Sequence, residues 1–224
     1  MDIEDVRKVN QSIKNLEISI GISEGFFDNL IRSQTDWEYI IKLHSFFEAI
    51  CTVLIIKALG KDELENVVSR MEMSDTSHGK ISFISELSLL NKGARGFIRK
   101  LSEIRNFYVH NISNISLSLK EYLERLDKNQ LSSFINTIGY DTYEKIQIGD
   151  ITIERSQFIK KNPRRAIHLG AFSVLAEIVA QLEIEKFRFE KKKIYEQYFE
   201  KFASLSKKFL DVSSKSIEKP DKTK

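Results

Sequence analysis

Three polar side chains stand close together near the middle of the chain: Arg105, Asn106 and His110, within the stretch 94–111. Histidine is the side chain whose ordinary pKa lies nearest neutrality, so it can take or give a proton, and a guanidinium clamps a phosphate through two parallel hydrogen bonds. With an amide beside them, these groups suit attack on a phosphodiester, a reaction that needs no metal. Spacing alone favours a plainer reading. In that reading Arg105 is half of a structural ion pair at the edge of a core stripe, and His110 complements the dipole at a helix C-terminus.

The elements that must position the trio are legible from periodicity. Ala94, Phe97, Ile98, Leu101, Ile104 and Tyr108 recur at three- and four-residue spacing and predict one buried face on a helix that ends near His110. Arg105 falls at the edge of that face, and Asn106 and His110 form an i, i+4 pair on a separate row. Ahead of it, Trp37 to Leu59 is apolar almost all round and predicts a central buried helix closed by Gly60, with Asp36 as its N-cap. A polar track of His44, Glu48 and Thr52 runs through it at four-residue steps. Burying a carboxylate is unfavourable unless it is paired, so Glu48 is expected to face and orient Arg105. Solvent or another partner for Glu48 is the equal alternative.

The string Ile104-Arg-Asn-Phe-Tyr-Val-His-Asn111, at the end of a helix that follows a long apolar helix, resembles the Arg-Asn-x-x-x-His signature of the HEPN superfamily, all-helical proteins that include many RNA-cleaving toxins. The resemblance implies an all-α, HEPN-like antiparallel helical bundle and a metal-independent endoribonuclease, a toxin or phage-defence component, that uses no cofactor. It assigns His110 to proton transfer, Arg105 to the scissile phosphate, Asn106 to orienting the His or contacting substrate, and Glu48 to a supporting position. The 2′-hydroxyl of the RNA would attack, leaving a 2′,3′-cyclic phosphate and a 5′-hydroxyl. A homodimer through the motif helix is implied too, and an antitoxin or defence-system protein is a further expected partner. The layout over residues 36–190 is also similar to the mannitol operon repressor branch, which implies the alternative of a non-catalytic regulatory or interaction module. One departure concerns control. Toxins paired with nucleotidyltransferases carry a Tyr two positions after the His, where this chain has Ile112.

Composition narrows the classes. The 224 residues include 35 basic and 32 acidic ones, so the net charge of +3 announces no polycation, and an RNA surface has to be a local patch. Lys160, Lys161, Arg164, Arg165 and His168 are the expected strip; a solvated helix end is the plainer reading, because Glu144, Asp150 and Glu154 dilute the charge. The single Cys51 lies in an apolar run and argues against a disulfide or a thiolate metal site. An acidic start without an apolar run, and apolar stretches broken by Lys42, His44, Glu48 and Lys57, make a cytoplasmic protein without membrane contact the expectation.

The rest of the chain reads as a first amphipathic helix to about residue 20 and a bend at Gly21 and Gly25. Short helices are expected at 63–71, 81–90, 121–126 and 131–138, with a weak extended signal at 115–119. Strict alternation either side of Gly149-Asp150 predicts a small β-hairpin insert over 141–156. Pro163 opens a long C-terminal helix whose stripe includes Ile167, Ala171, Val174, Leu175, Ile178 and Leu182. Tyr195, Tyr198, Phe202, Leu205 and Phe209 then give a heptad-like seam. The expected organisation is one domain over 1–211 and a disordered polar tail over 212–224.

Overall fold

The computed structural model describes residues 3–148 and 151–217, with side chains for 4–147 and 152–208. The chain is all-α with a small hairpin insert. In order it forms α1 (Ile3–Ser19), α2 (Phe26–Leu30), α3 (Asp36–Leu59), a 3₁₀ turn (Asp62–Leu64), α4 (Glu65–Ser69), α5 (Lys80–Glu86), α6 (Lys92–His110) and a second 3₁₀ turn (Ile112–Ser116). There follow α7 (Leu119–Glu124), α8 (Lys128–Ile138), β1 (Lys145–Ile148), β2 (Ile151–Glu154), α9 (Arg155–Lys161) and α10 (Pro163–Ile217). The strands pair antiparallel with Lys145 opposite Glu154 and Ile148 opposite Ile151. The turn at Gly149-Asp150 lies outside the described residues.

α3 is the centre of the first unit, residues 1–182. It packs most extensively on α6 and also meets α2, α4 and α5. Tyr39, Leu43, Phe47, Ile50 and Leu54 are fully buried along it, which is why a helix long and apolar enough to cross a membrane sits here in a protein core. α10 passes the same test of length and apolar content. The predicted stripe of α6 is buried at every position, from Ala94 to Tyr108. α10 comes close to α6 at Gly170, where a Cβ would meet the Phe97 ring and the Ile138 carbonyl.

Several boundaries differ from expectation for local reasons. Thr35, not Asp36, caps α3: its Oγ1 accepts from the Glu38 N–H at 3.1 Å. Asp36 instead uses both oxygens on distant partners, accepting from the Leu119 N–H at 2.7 Å and from Arg164 Nε at 2.5 Å. The extended signal over 115–119 is met only in part: residues 112–116 form a 3₁₀ turn and α7 begins at Leu119. The start of the turn is held by the Asn111 side chain, which accepts from the Ser113 N–H at 3.1 Å. A buried carboxylate that periodicity did not single out, Glu17, accepts from the N–H groups of Gly25 and Phe27 at 2.6 and 2.8 Å and so caps the start of α2.

The second unit, residues 183–224, is described as helix to Ile217, six residues into the expected tail; residues 218–224 lie outside the described set. Along it Ile184, Phe187, Ile194, Tyr195, Tyr198, Phe199, Phe202 and Leu205 are exposed, so the predicted seam is an uncovered apolar face in the single chain. The side chain of Phe209, its last member, is outside the described side chains.

Candidate functional site

The motif helix is fixed at both ends. At its start Asn91 is the N-cap, its side chain accepting from the Ala94 N–H at 3.0 Å while its amide donates to Glu177 Oε2 at 2.7 Å and to the Tyr140 hydroxyl. Glu177 Oε1 also accepts from the Asn91 N–H at 2.6 Å, so α10 grips the entry to α6. At the far end the Asn114 amide donates to the Phe107 carbonyl at 2.7 Å, and the Tyr108 hydroxyl donates to the Leu117 carbonyl at 3.1 Å. The first of these bonds satisfies a carbonyl that the C-terminus of α6 leaves open, and the second ties the helix to the chain that follows it.

On this fixed helix Arg105 and Asn106 are brought together: Nη1 of the partly buried guanidinium donates to Asn106 Oδ1 at 3.1 Å. His110, the last residue of α6, is exposed and does not join them. Five residues of helix turn its side chain about 140° away from Arg105, so one chain presents the two groups in different directions. Exposed apolar residues flank it, Val109 at 44% and Ile112 at 81%.

Glu48 does not pair with Arg105 as expected. Its Oε2 lies 3.5 Å from Nδ1 of His44, its neighbour one helical turn back, and Nε2 of His44 lies 3.0 Å from Ser102 Oγ on α6. An i, i+4 partner on the same helix is within reach without any tertiary fit, and here it takes the carboxylate. The hydrogen bond to His44 holds the Glu48 carboxyl below its ordinary pKa against the opposing effect of burial; the charges of His44, Lys80 and Arg105 lower it further. Arg105 therefore influences Glu48 electrostatically, with no ion pair between them among the described residues.

Acid, imidazole and hydroxyl in series resemble a nucleophile-activating arrangement, but access and hydrogen bonding exclude that role here. Ser102 is 3% and His44 5% exposed, and the Ser102 hydroxyl donates back to the Ile98 carbonyl at 3.2 Å. The series is a brace between α3 and α6, and its Ser102 lies three residues before Arg105 on α6. Lys80 lies within its electrostatic reach, buried at 2% with Nζ donating to the Ser69 carbonyl at 3.1 Å. Neither Ser102 nor Lys80 was singled out from sequence. The available signal for Ser102 was a hydroxyl at i+4 from Ile98 inside an apolar stripe. Cys51 is fully buried, and burial pushes its thiol up to about 12, which leaves it inert.

The expected basic strip divides. Lys161, Arg164 and Arg165 line one open cavity of about 670 Å³ together with Ile31, Asp36, Ser118, Lys120, Asn162 and Pro163. Lys160 is exposed on α9 outside that lining. Arg164 is a brace, bonded to Asp36 and to the Ser33 carbonyl at 2.7 Å. His168 is not on the surface strip: its ring stacks parallel on Phe27 at 4.3 Å, and burial lowers its pKa with Asp28 opposing. One face of the first turns of α10 packs on α2, and His168 lies on that face.

Among the described residues no three His, Cys, Asp or Glu side chains form a group able to hold a metal ion. In comparisons with known proteins, no family model, no curated protein and no solved structure matches the chain.

Proposed function

We propose that the protein is a metal-independent endoribonuclease of the HEPN type, acting as a toxin or defence component in the cytoplasm. The observation that carries the reading is the joined Arg105–Asn106 pair at the last turns of a helix fixed at both ends, with His110 free on the following turn in the Arg-Asn-x-x-x-His spacing. Arg105 would hold the scissile phosphate and the charge that develops on it, Asn106 would fix the guanidinium, and His110 would move the proton. Lys160, Lys161 and Arg165 would supply phosphate contacts away from the cut.

Arg105 and His110 diverge on one helix, so a complete site calls for a second copy related by a two-fold axis. The exposed Val109 and Ile112 beside His110 support that contact. The second reading, a regulatory or interaction module, is favoured by His110 itself, which no hydrogen bond or ion pair among the described residues holds in place within one chain. Purified protein is expected to cut single-stranded RNA in EDTA, with His110→Ala abolishing cleavage at an unchanged Tm. Folded protein that leaves RNA intact at neutral pH would move the assignment to the second reading. Mixing Arg105→Ala with His110→Ala chains is expected to restore part of the activity. No recovery despite verified subunit exchange would place each site within one chain.

A further inference from the structure

The cavity of about 670 Å³ at the junction of α2, α3, α7, α9 and α10 is built around a charge that is already neutralised. Asp36 is its only carboxylate, and both of that carboxylate's oxygens are occupied, one by Arg164 and one by the Leu119 N–H. The nearby Glu121 is also committed, accepting from the Ser118 N–H and hydroxyl at 2.7 Å each as part of a capping box. What remains on the lining is Lys120, Lys161 and Arg165, all exposed and none with an ion-pair partner among the described residues. They come from two stretches, Lys120 from α7 and Lys161 with Arg165 from the α9–α10 junction, which Asp36 ties together by accepting from both the Leu119 N–H and Arg164. Like charges gathered at a concave surface repel one another until an anion arrives. Two ammonium groups and one forked guanidinium match the oxygens of a phosphate group.

The rest of the lining sets the size and character of the ligand. A volume of about 670 Å³ lies inside the roughly 300–1,000 Å³ range of small-molecule sites. Half-buried Ile31 offers an apolar surface for a ring, and the Asn162 amide offers a donor and an acceptor. We infer that this cavity binds a phosphate monoester the size of one nucleotide, held by Lys120, Lys161 and Arg165. The ligand is either a free nucleotide or the 5′-phosphate end of an RNA chain. The site does not involve Arg105 or His110. Tyr108, whose hydroxyl donates to the carbonyl of Leu117 beside Ser118 of the lining, marks the side of α6 that faces it, and two residues of helix point His110 about 200° away.

Calorimetric titration of the full chain with adenosine 5′-monophosphate, with inorganic phosphate as competitor, tests the site directly. One nucleotide is expected to bind per chain, adenosine not at all, and Lys161→Gln/Arg165→Gln is expected to weaken binding at least tenfold while His110→Ala leaves it unchanged. Lys120→Gln, on another segment, is expected to weaken it as well. Short 2′-deoxy oligonucleotides, which lack the hydroxyl needed for self-cleavage, separate the two sources and keep the result independent of RNA cutting. Tighter binding of the 5′-phosphorylated oligonucleotide than of the mononucleotide identifies a chain end, and the reverse identifies a free nucleotide. Equal binding of 5′-hydroxyl and 5′-phosphorylated oligonucleotides rules out a chain end as the ligand; no binding of the mononucleotide at millimolar concentration, or unchanged affinity in the folded double variant, would each overturn the inference.

Discussion

His168 shows how a single ring can be read wrongly from its neighbours in sequence. Beside Lys160, Lys161, Arg164 and Arg165 it looked like part of a phosphate-binding strip, yet its ring lies flat on Phe27 and its Nδ1 is buried without a hydrogen-bond partner. Burial disfavours the charged imidazole, so the folded-state pKa sits below the ordinary 6.5. As pH falls, the unfolded chain takes up this proton before the folded one does. The resulting stability is therefore complete above that ordinary value and is lost as pH drops through the depressed one. His168→Phe keeps the stack and removes the proton, so its Tm is expected to fall less than that of the wild type between pH 7 and pH 5. Parallel curves would show that His168 does not titrate in this window. Glu48 is depressed too, but it acts below its ordinary 4.5 and leaves this range clear. The motif itself was legible at this scale because spacing on one helix fixes direction. Ser102 and Lys80 were not, because their roles depend on what other helices place beside them.

At the scale of elements, the brace from α3 to α6 is the contact on which the candidate site rests. His44→Ala would remove the partner of Glu48 and leave the Ser102 hydroxyl with only its own helix, a loss of about 2–3 kcal/mol. Arg105→Ala removes a partly buried guanidinium bonded to an adjacent side chain and is expected to cost about 1 kcal/mol or less. Urea denaturation of the two variants orders them. If Arg105→Ala proves the more damaging, the carboxylate depends on the guanidinium and the sequence expectation of a Glu48–Arg105 pair is restored. The helices that carry these groups were readable because their apolar residues repeat at the helical period. The hairpin was readable because its residues alternate. The cap of α3 was misassigned between adjacent Thr35 and Asp36, since either side chain can cap and only the fold decides which one is drawn elsewhere.

For the whole molecule, the contacts that gather distant segments were the least legible part, because nothing in a local pattern names a partner far along the chain. Asp36 joins Leu119, 83 residues away, and Arg164, 128 residues away. The same carboxylate that shapes the cation-lined cavity is thus a closure of very long loops, which carry an entropic penalty until most of the unit has collapsed. Its bonds should be absent from the folding transition state. Asp36→Asn, which retains an acceptor for Leu119 but loses the charge attraction to Arg164, is expected to speed unfolding about five- to tenfold and to leave refolding within about twofold of wild type. Stopped-flow chevrons measure both limbs. Slower refolding would mean that this junction forms early and guides the collapse. If unfolding alone accelerates, the Asp36 junction acts as a latch on the finished fold, setting how long the native state persists rather than how quickly it is reached.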